Sequence, residues 1–282
     1  MSELPVRDWG ADAPPPPPPA WKVRLVRALA TYTPYRMGAV RAAVLRTRRA
    51  RGRARRQALE ARGDHSLSHP ALYGMDAVLA RHLPTEPGVF VEAGAFDGYE
   101  QSNTYRLEHV EGWHGVLVEP VPALYREVLL ERPRSQVFNC ALKAADDPRE
   151  QVTMQYGGLM STVAGAHGGD ERDWVRPAFL LGLEEPYEIS VPARTLSSLI
   201  DEAGLTHVDF MSLDVEGYEQ QVLRGLDLDR HAPRFLLVEM HDIAAGRAAI
   251  EPLLGERYQA LEQISPTDVL YARRDGAAST AS

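Results

Sequence analysis

Cysteine is nearly absent from this chain of 282 residues, and Cys140 stands alone. A single thiol excludes an intramolecular disulfide and a cysteine zinc site. Lysine is almost as scarce: Lys22 and Lys143 are the only two, so positive charge is carried by arginine. No apolar run approaches the roughly 18 residues that a membrane span needs. Residues 1–10 are acidic and lack the apolar centre of a secretory signal. These absences predict a cytoplasmic protein. A hydrophobic content of 44% is enough for a full core.

The charge that is present is unevenly spread. The whole chain carries a net charge of -8. Over residues 21–62, Lys22 and twelve arginines face one acid, Glu60, which gives about +12 there and leaves about -20 for the rest. Six prolines, residues 14–19, precede this stretch and favour a polyproline II spacer. Apolar residues at Val23, Val26, Leu29 and Ala30, then at Val40, Val44 and Leu45, predict helix, broken near Thr33-Pro34. The expected organisation is a disordered tail over 1–20, a basic helical arm over 21–66, one domain over 67–274 and a short tail over 275–282. The arm is weakly amphipathic, so it predicts peripheral contact with an anionic membrane. Pairing with the acidic domain of the same chain is the other reading. No specific nucleic-acid partner is expected.

From residue 89 strands and helices alternate. Strands are predicted at 89–93, 115–119, 136–142, 151–156, 188–193, 208–213 and 235–240. Helices are predicted at 102–109, 122–131, 195–203, 218–226 and 248–254. Residues 157–187 read as irregular, and 258–264 with 268–272 as a closing hairpin. Alternation of this kind predicts an α/β fold with a parallel, doubly wound sheet and a terminal antiparallel strand. Such sheets bind ligands at the carboxyl ends of their strands.

Those ends carry the informative residues. The first strand runs into Glu92-Ala93-Gly94-Ala95-Phe96-Asp97-Gly98, a turn in which glycine lets a ligand approach the backbone. It lacks the three glycines of a dinucleotide fingerprint. The second strand ends at Glu119, where an acid can accept both hydroxyls of a ribose. The strand before Asp214-Val215-Glu216-Gly217 and the strand before Glu239-Met240-His241 end at the same edge. Asp214, Glu239 and His241 are therefore candidates to bind a divalent cation such as Mg2+, or to deprotonate a hydroxyl directly. Acids at these positions can also simply complement a helix N-terminus.

Several segments resemble the FkbM-type methyltransferases. They are the glycine loop over 91–98, Ser102-Asn103-Thr104, Val118-Glu119-Pro120, Asn139-Cys140-Ala141-Leu142, Arg194-Thr195-Leu196, and above all the run Asp214-Val215-Glu216-Gly217-Tyr218-Glu219 followed by Val222-Leu223-Arg224-Gly225. The resemblance covers roughly residues 88–273, so the basic arm lies outside it. It implies a Rossmann-like, seven-stranded methyltransferase sheet with S-adenosylmethionine as methyl donor. By motif position, Glu92, Gly94, Asp97, Gly98, Ser102 and Asn103 would hold the methionine end, Glu119 the ribose, and the backbone at Ala141 the adenine. Ser161-Thr162 falls where the family often has a small polar pair, and Glu92 stands where many members carry aspartate.

The reading that follows is O-methylation of a hydroxyl on a sugar, glycolipid or secondary metabolite. The irregular segment 157–187 would face the acceptor, with Tyr156, His167, Asp170 and Trp174 as candidates. Two other classes stay open: an NAD-dependent sugar-modifying enzyme, and a binding module without activity.

Overall fold

The computed structural model describes residues 4–5, 36–167 and 187–274, with side chains of the first helix from residue 43. The proline run, the arm before residue 36, Asp170, Trp174 and the last eight residues lie outside the described residues.

Seven strands form the main sheet: β1 (Val89–Ala93), β2 (His114–Val118), β3 (Gln136–Phe138), β8 (Phe210–Leu213), β9 (Phe235–Glu239), β10 (Tyr258–Gln263) and β11 (Asp268–Arg273). Their spatial order is β10-β11-β9-β8-β1-β2-β3. The five strands from β3 to β9 run parallel, and β11 pairs antiparallel to both β9 and β10. The closing hairpin therefore folds back, so that the last strand of the chain lies inside the sheet and β10 forms its edge. The chain order reverses between β1 and β8, which places the crevice of a doubly wound sheet at their carboxyl ends.

The central strands are mostly apolar because both faces are covered. Phe90, Leu117, Phe210 and Leu237 pack on one face, with Val78 and Leu79 of α2 (Met75–His82), Leu107 of α3 (Tyr105–His109) and Val128 of α4 (Pro122–Glu131). Val91, Val116, Met211 and Leu236 pack on the other. They meet Leu196 and Leu199 of α5 (Leu196–Glu202), Val222 of α6 (Glu219–Arg224) and Ile250 of α8 (Ile243–Leu254). The short α7 (Leu228–His231) precedes β9.

The predicted strand over 136–142 is two strands. After β3 the chain leaves the main sheet, and β4 (Ala141–Leu142) joins β7 (Tyr187–Arg194), β5 (Gln151–Tyr156) and β6 (Thr162–Val163) in a second, four-stranded sheet. Asn139 sits at the crossing, where its amide donates to the carbonyls of Glu119 and Pro120 at 2.9 Å each. The segment expected to be irregular thus contains β6, which pairs with β5. The predicted helix over 102–109 begins only at Tyr105, because residues 102–104 are bonded to the end of β1 instead. The helix predicted over 248–254 starts at Ile243, where Asp242 caps the amide of Ala245.

The basic arm forms α1 (Arg36–Glu60), and its last turns are docked. Arg49, Arg53, Arg56 and Glu60 follow one another at intervals of four, three and four, which puts them on one helix face. Arg49 pairs with Asp97 at 3.1 Å, Arg53 with Glu127 at 3.1 Å, and Arg56 with Glu131 at 2.5 Å. The Arg56 guanidinium also lies 3.4 Å from the centre of the Tyr99 ring. Glu60 accepts from Ser68, Tyr105 and His109. At the opposite end of the sheet, the Pro5 carbonyl accepts from Gln263 of β10, so part of the segment expected as a free tail touches the domain. Among the described residues no helix is long and apolar enough to cross a membrane.

Candidate functional site

A cleft opens where β1, β2, β8 and β9 end. Its floor is the meeting of two loops. Gly94, directly after β1, has φ 90, and a Cβ there would lie 1.8 Å from the Asp214 carbonyl after β8. Only glycine allows that approach. Phe96 and Gln101 in the same loop also hold positive φ, 50 and 64, at a cost of about 1–3 kcal/mol each.

Glu92 holds this loop in shape. Its carboxylate accepts from Ser102 Oγ at 3.0 Å, Asn103 N at 2.9 Å and Thr104 Oγ1 at 2.7 Å. Arg132, fully buried, reaches Glu92 at 3.2 Å and Glu108 at 2.9 Å, and donates to Thr104 at 2.7 Å. Asp97 has a similar task behind the loop, accepting from the amides of Tyr99 and Glu100 and from Arg49. Of the residues expected at a donor site, Glu92, Gly94, Ser102, Asn103, Glu119 and Ala141 line the cleft. Asp97 and Gly98 do not; Gly98 packs against Glu131 and Arg132. Nothing in the sequence marks Arg132 as the residue that neutralises Glu92, because it lies on the far side of α4.

Glu119 is 4% exposed at the tip of β2 and accepts from the amide of Val121 at 2.8 Å. Burial pushes its carboxyl up to about 8.

The second acidic group gathers at the ends of β8, β9 and β11. Asp214 and Glu239 share a hydrogen bond, and burial together with mutual repulsion raises both well above the usual carboxylate range. Asp268 faces Glu239 in the antiparallel register, accepts from Ser265 and Thr267, and is pushed by burial to about 6. The His241 imidazole lies 3.4 Å from Glu216 and 3.8 Å from Glu239, and the Glu216 carboxylate raises its pKa against the opposing effect of burial.

Glu239 and His241, two of the three candidate ligands, come together. Asp214 is taken up by Glu239, and the group whose ligating atoms all lie within 4.8 Å of one another is Glu216, Glu239 and His241. Glu216 gets there through a left-handed turn, φ 55, followed by Gly217 at φ 89. That turn is tied down by Glu219, which accepts from the amides of Val215 and Gly217, and by Thr162, which donates to the Glu216 carbonyl at 2.8 Å. His167 lies over Gly217 with its ring 6.5 Å from that of His241, so this acceptor candidate reaches the site. Ser161 also lines the cleft. Tyr156 is buried and stacked on Tyr187 at 4.7 Å, outside the cleft wall.

Among the described residues the cleft wall holds six acids, Glu92, Glu100, Glu119, Asp214, Glu216 and Glu239, and no lysine, arginine or histidine. Burial holds Glu119, Asp214 and Glu239 toward the protonated form, so the wall is less than six charges, but it offers a phosphate no lysine or arginine.

No curated protein matches the sequence. Among solved structures, the methyltransferase FkbM from Methylobacillus flagellatus KT is similar at 17% identity and a TM-score of 0.36, over 66% of this chain and 43% of that one. The METTL16 MTase domain is similar at 9% identity and a TM-score of 0.38, over 71% of this chain and 64% of that one. The chain thus spans less than two thirds of either. The model of the methyltransferase FkbM domain matches residues 92–264, more than half of the chain, from the end of β1 into the closing hairpin. With that match, the chain belongs to the FkbM methyltransferase family.

Proposed function

We propose that this protein transfers the methyl group of S-adenosylmethionine to a hydroxyl of a small molecule or glycan. The observation that carries this reading is the six-acid, cation-free wall of the cleft. A nicotinamide dinucleotide would bring a pyrophosphate to that wall with no cation to meet it, whereas the sulfonium and amino groups of adenosylmethionine are both positive. The close approach at Gly94 supplies the cradle, and Glu119 supplies a buried acceptor for ribose hydroxyls. Ser102 and Asn103 would border the methionine end and the backbone at Ala141 the adenine, while Glu92 and Asp97 keep the loop in shape.

The donor supplies an activated methyl group: the acceptor oxygen attacks the methyl carbon, a C–O bond forms as the C–S bond breaks, and sulfur keeps the electron pair. The protein then has two tasks, alignment and removal of the hydroxyl proton. The cluster of Asp214, Glu216, Glu239 and His241 at the carboxyl ends of β8 and β9 is the candidate to take that proton.

The test is calorimetry with adenosylmethionine and with NAD, followed by transfer of a labelled methyl group into an extract of the host. Binding of adenosylmethionine alone, with label appearing in a base-stable small-molecule or glycan product, is the expected result. Binding of NAD alone would overturn it. Donor binding without any turnover would leave only a binding module.

A further inference from the structure

We infer that an arginine-lined pocket at the amino ends of β8 and β9 binds a diphosphate group. The pocket lies at the edge of the sheet opposite the acidic cleft. Asp209 stands just before β8, Arg234 just before β9, Arg257 just before β10, and Arg273 at the end of the antiparallel β11. Arg230 of α7 and Arg274 complete the basic set. None of these residues lines the cleft, so the inference stands apart from methyl transfer.

The fold brings these cations together against their own repulsion. Ala272 of β11 pairs with Phe235 of β9, and the Arg273 amide donates to the Arg234 carbonyl at 2.9 Å. On the other side Arg273 pairs with Tyr258 of β10, and the Arg274 amide donates to the Arg257 carbonyl at 2.9 Å. Arginine therefore stands opposite arginine across both strand pairs, and like charges so placed destabilise a sheet. The acids nearby do not cancel them. Among the described residues the lining holds two acids, Asp209 and Asp229, against five arginines. Asp229 pairs with Arg257 at 2.5 Å, and Asp201, from outside the lining, pairs with Arg230. Both pairs are largely exposed, and such pairs contribute little. Asp209 accepts from the Val89 amide at 2.9 Å and lies 3.4 Å from His207. The lining thus carries an excess of three positive charges in one concavity, on a chain whose net charge is -8. A bound anion would relieve that repulsion.

The cations select the anion. Guanidinium forks match pairs of phosphate or carboxylate oxygens. One phosphate carries about 1.5–2 negative charges, less than the excess, so two linked phosphates match it better. Arg273 is ordered in advance, because its Nη1 donates to the Ala232 carbonyl at 2.8 Å. Val208, Leu228 and Ala232 add an apolar wall on which the organic part of a diphosphate ester would rest. Free pyrophosphate and such an ester share the chemistry that the arginines read.

The test is calorimetry on the full-length protein at low salt, with inorganic pyrophosphate, inorganic phosphate and uridine diphosphate. One pyrophosphate per chain is expected, held more tightly than phosphate and more weakly as salt rises. Arg230 and Arg274 are exposed, so their replacement leaves the core intact. Arg230→Gln, Arg234→Gln and Arg274→Gln should each weaken pyrophosphate binding at least about tenfold, in proteins that still unfold cooperatively. Pyrophosphate should also raise the melting temperature of the wild type more than that of the variants. Uridine diphosphate binding more tightly than pyrophosphate assigns the site to an ester, and weaker binding assigns it to the free anion; both support the site. No saturable pyrophosphate binding, binding unchanged in all three variants, or phosphate bound as tightly as pyrophosphate overturns it.

Discussion

Burial pushes Glu119 up to about 8, so the charge that a ribose hydroxyl would meet changes with pH near neutrality. The hydroxyl donates best to the ionised form, so donor affinity should rise about tenfold per pH unit up to pH 8 and level off above it. Glu119→Gln should flatten that profile, and Glu119→Ala should weaken donor binding by about 1–3 kcal/mol. Calorimetry across pH 6 to 9 decides; a flat wild-type profile with unchanged affinity in both variants removes Glu119 from the ribose. Asp76 gives a separate prediction about stability. It is 5% exposed, accepts from the Ala71 amide at 3.0 Å, and burial pushes it to about 7. Its folded pKa lies above the unfolded value of about 3.9. The folded state therefore holds this proton more tightly, and its contribution is full below pH 4 and lost as pH rises through 7. Asp76→Asn should gain on the wild type between pH 4 and pH 8 by on the order of 2–4 kcal/mol. Equal stability differences at the two pH values in urea unfolding would contradict this. Gly94, Glu119 and the acids after β8 and β9 were legible from the sequence because each follows an apolar run. Glu216 was not promoted over Asp214, since a left-handed turn decides which acid faces His241. Asp268 enters only through its register opposite Glu239.

Elements were legible where burial on two faces leaves a mostly apolar run, as in β1, β2, β8 and β9. They were not legible where pairing partners decide. β6 is two residues long and exists because β5 lies beside it, and β3 and β4 read as one strand until Asn139 turns the chain between two sheets. α1 shows the same limit in another form: its composition announced a helix, but not that one face of it closes the back of the glycine loop after β1. Arg49 both pairs with Asp97 and lies 5.2 Å from the ring centre of Phe96, a residue of the cleft wall. An arm attached in this way is more than an accessory. Deleting residues 1–62 should weaken donor binding and lower the unfolding temperature. Arg56→Ala should cost roughly 3 kcal/mol, because it leaves Glu131 buried with only Arg53 nearby, at 3.6 Å. The double variant Arg56→Ala with Glu131→Ala should recover part of that loss in denaturant unfolding. A truncated protein with unchanged donor affinity and melting would show that the docked face is ornamental.

At the scale of the whole molecule, charge is segregated: a basic arm sits on a domain of opposite sign. Docking uses Arg49, Arg53 and Arg56, which answers the sequence-level choice in favour of self-pairing for that face only. Arg48, Arg51 and Arg55, at intervals of three and four, are exposed on the opposite side of α1, and Arg46 is exposed as well. No acid shares that stretch of helix before Glu60. A membrane contact through α1 would therefore use this outward face, with the acidic domain repelled from the same surface and so held away from it. Each arginine near an anionic bilayer is worth about 1 kcal/mol at best, and salt screens it. The expected binding is weak, present at low ionic strength and absent at high. Truncating the arm is a poor test, since it also removes the docked face. Changing Arg48, Arg51 and Arg55 together to glutamine spares the ion pairs of Arg49, Arg53 and Arg56. Wild-type protein should sediment with phosphatidylserine vesicles at low salt and not with phosphatidylcholine vesicles, and the triple variant should stay in solution with unchanged melting and donor affinity. If the full-length protein stays in solution with anionic vesicles even at low salt, the outward arginines serve no membrane, and their charge is a solvated helix face.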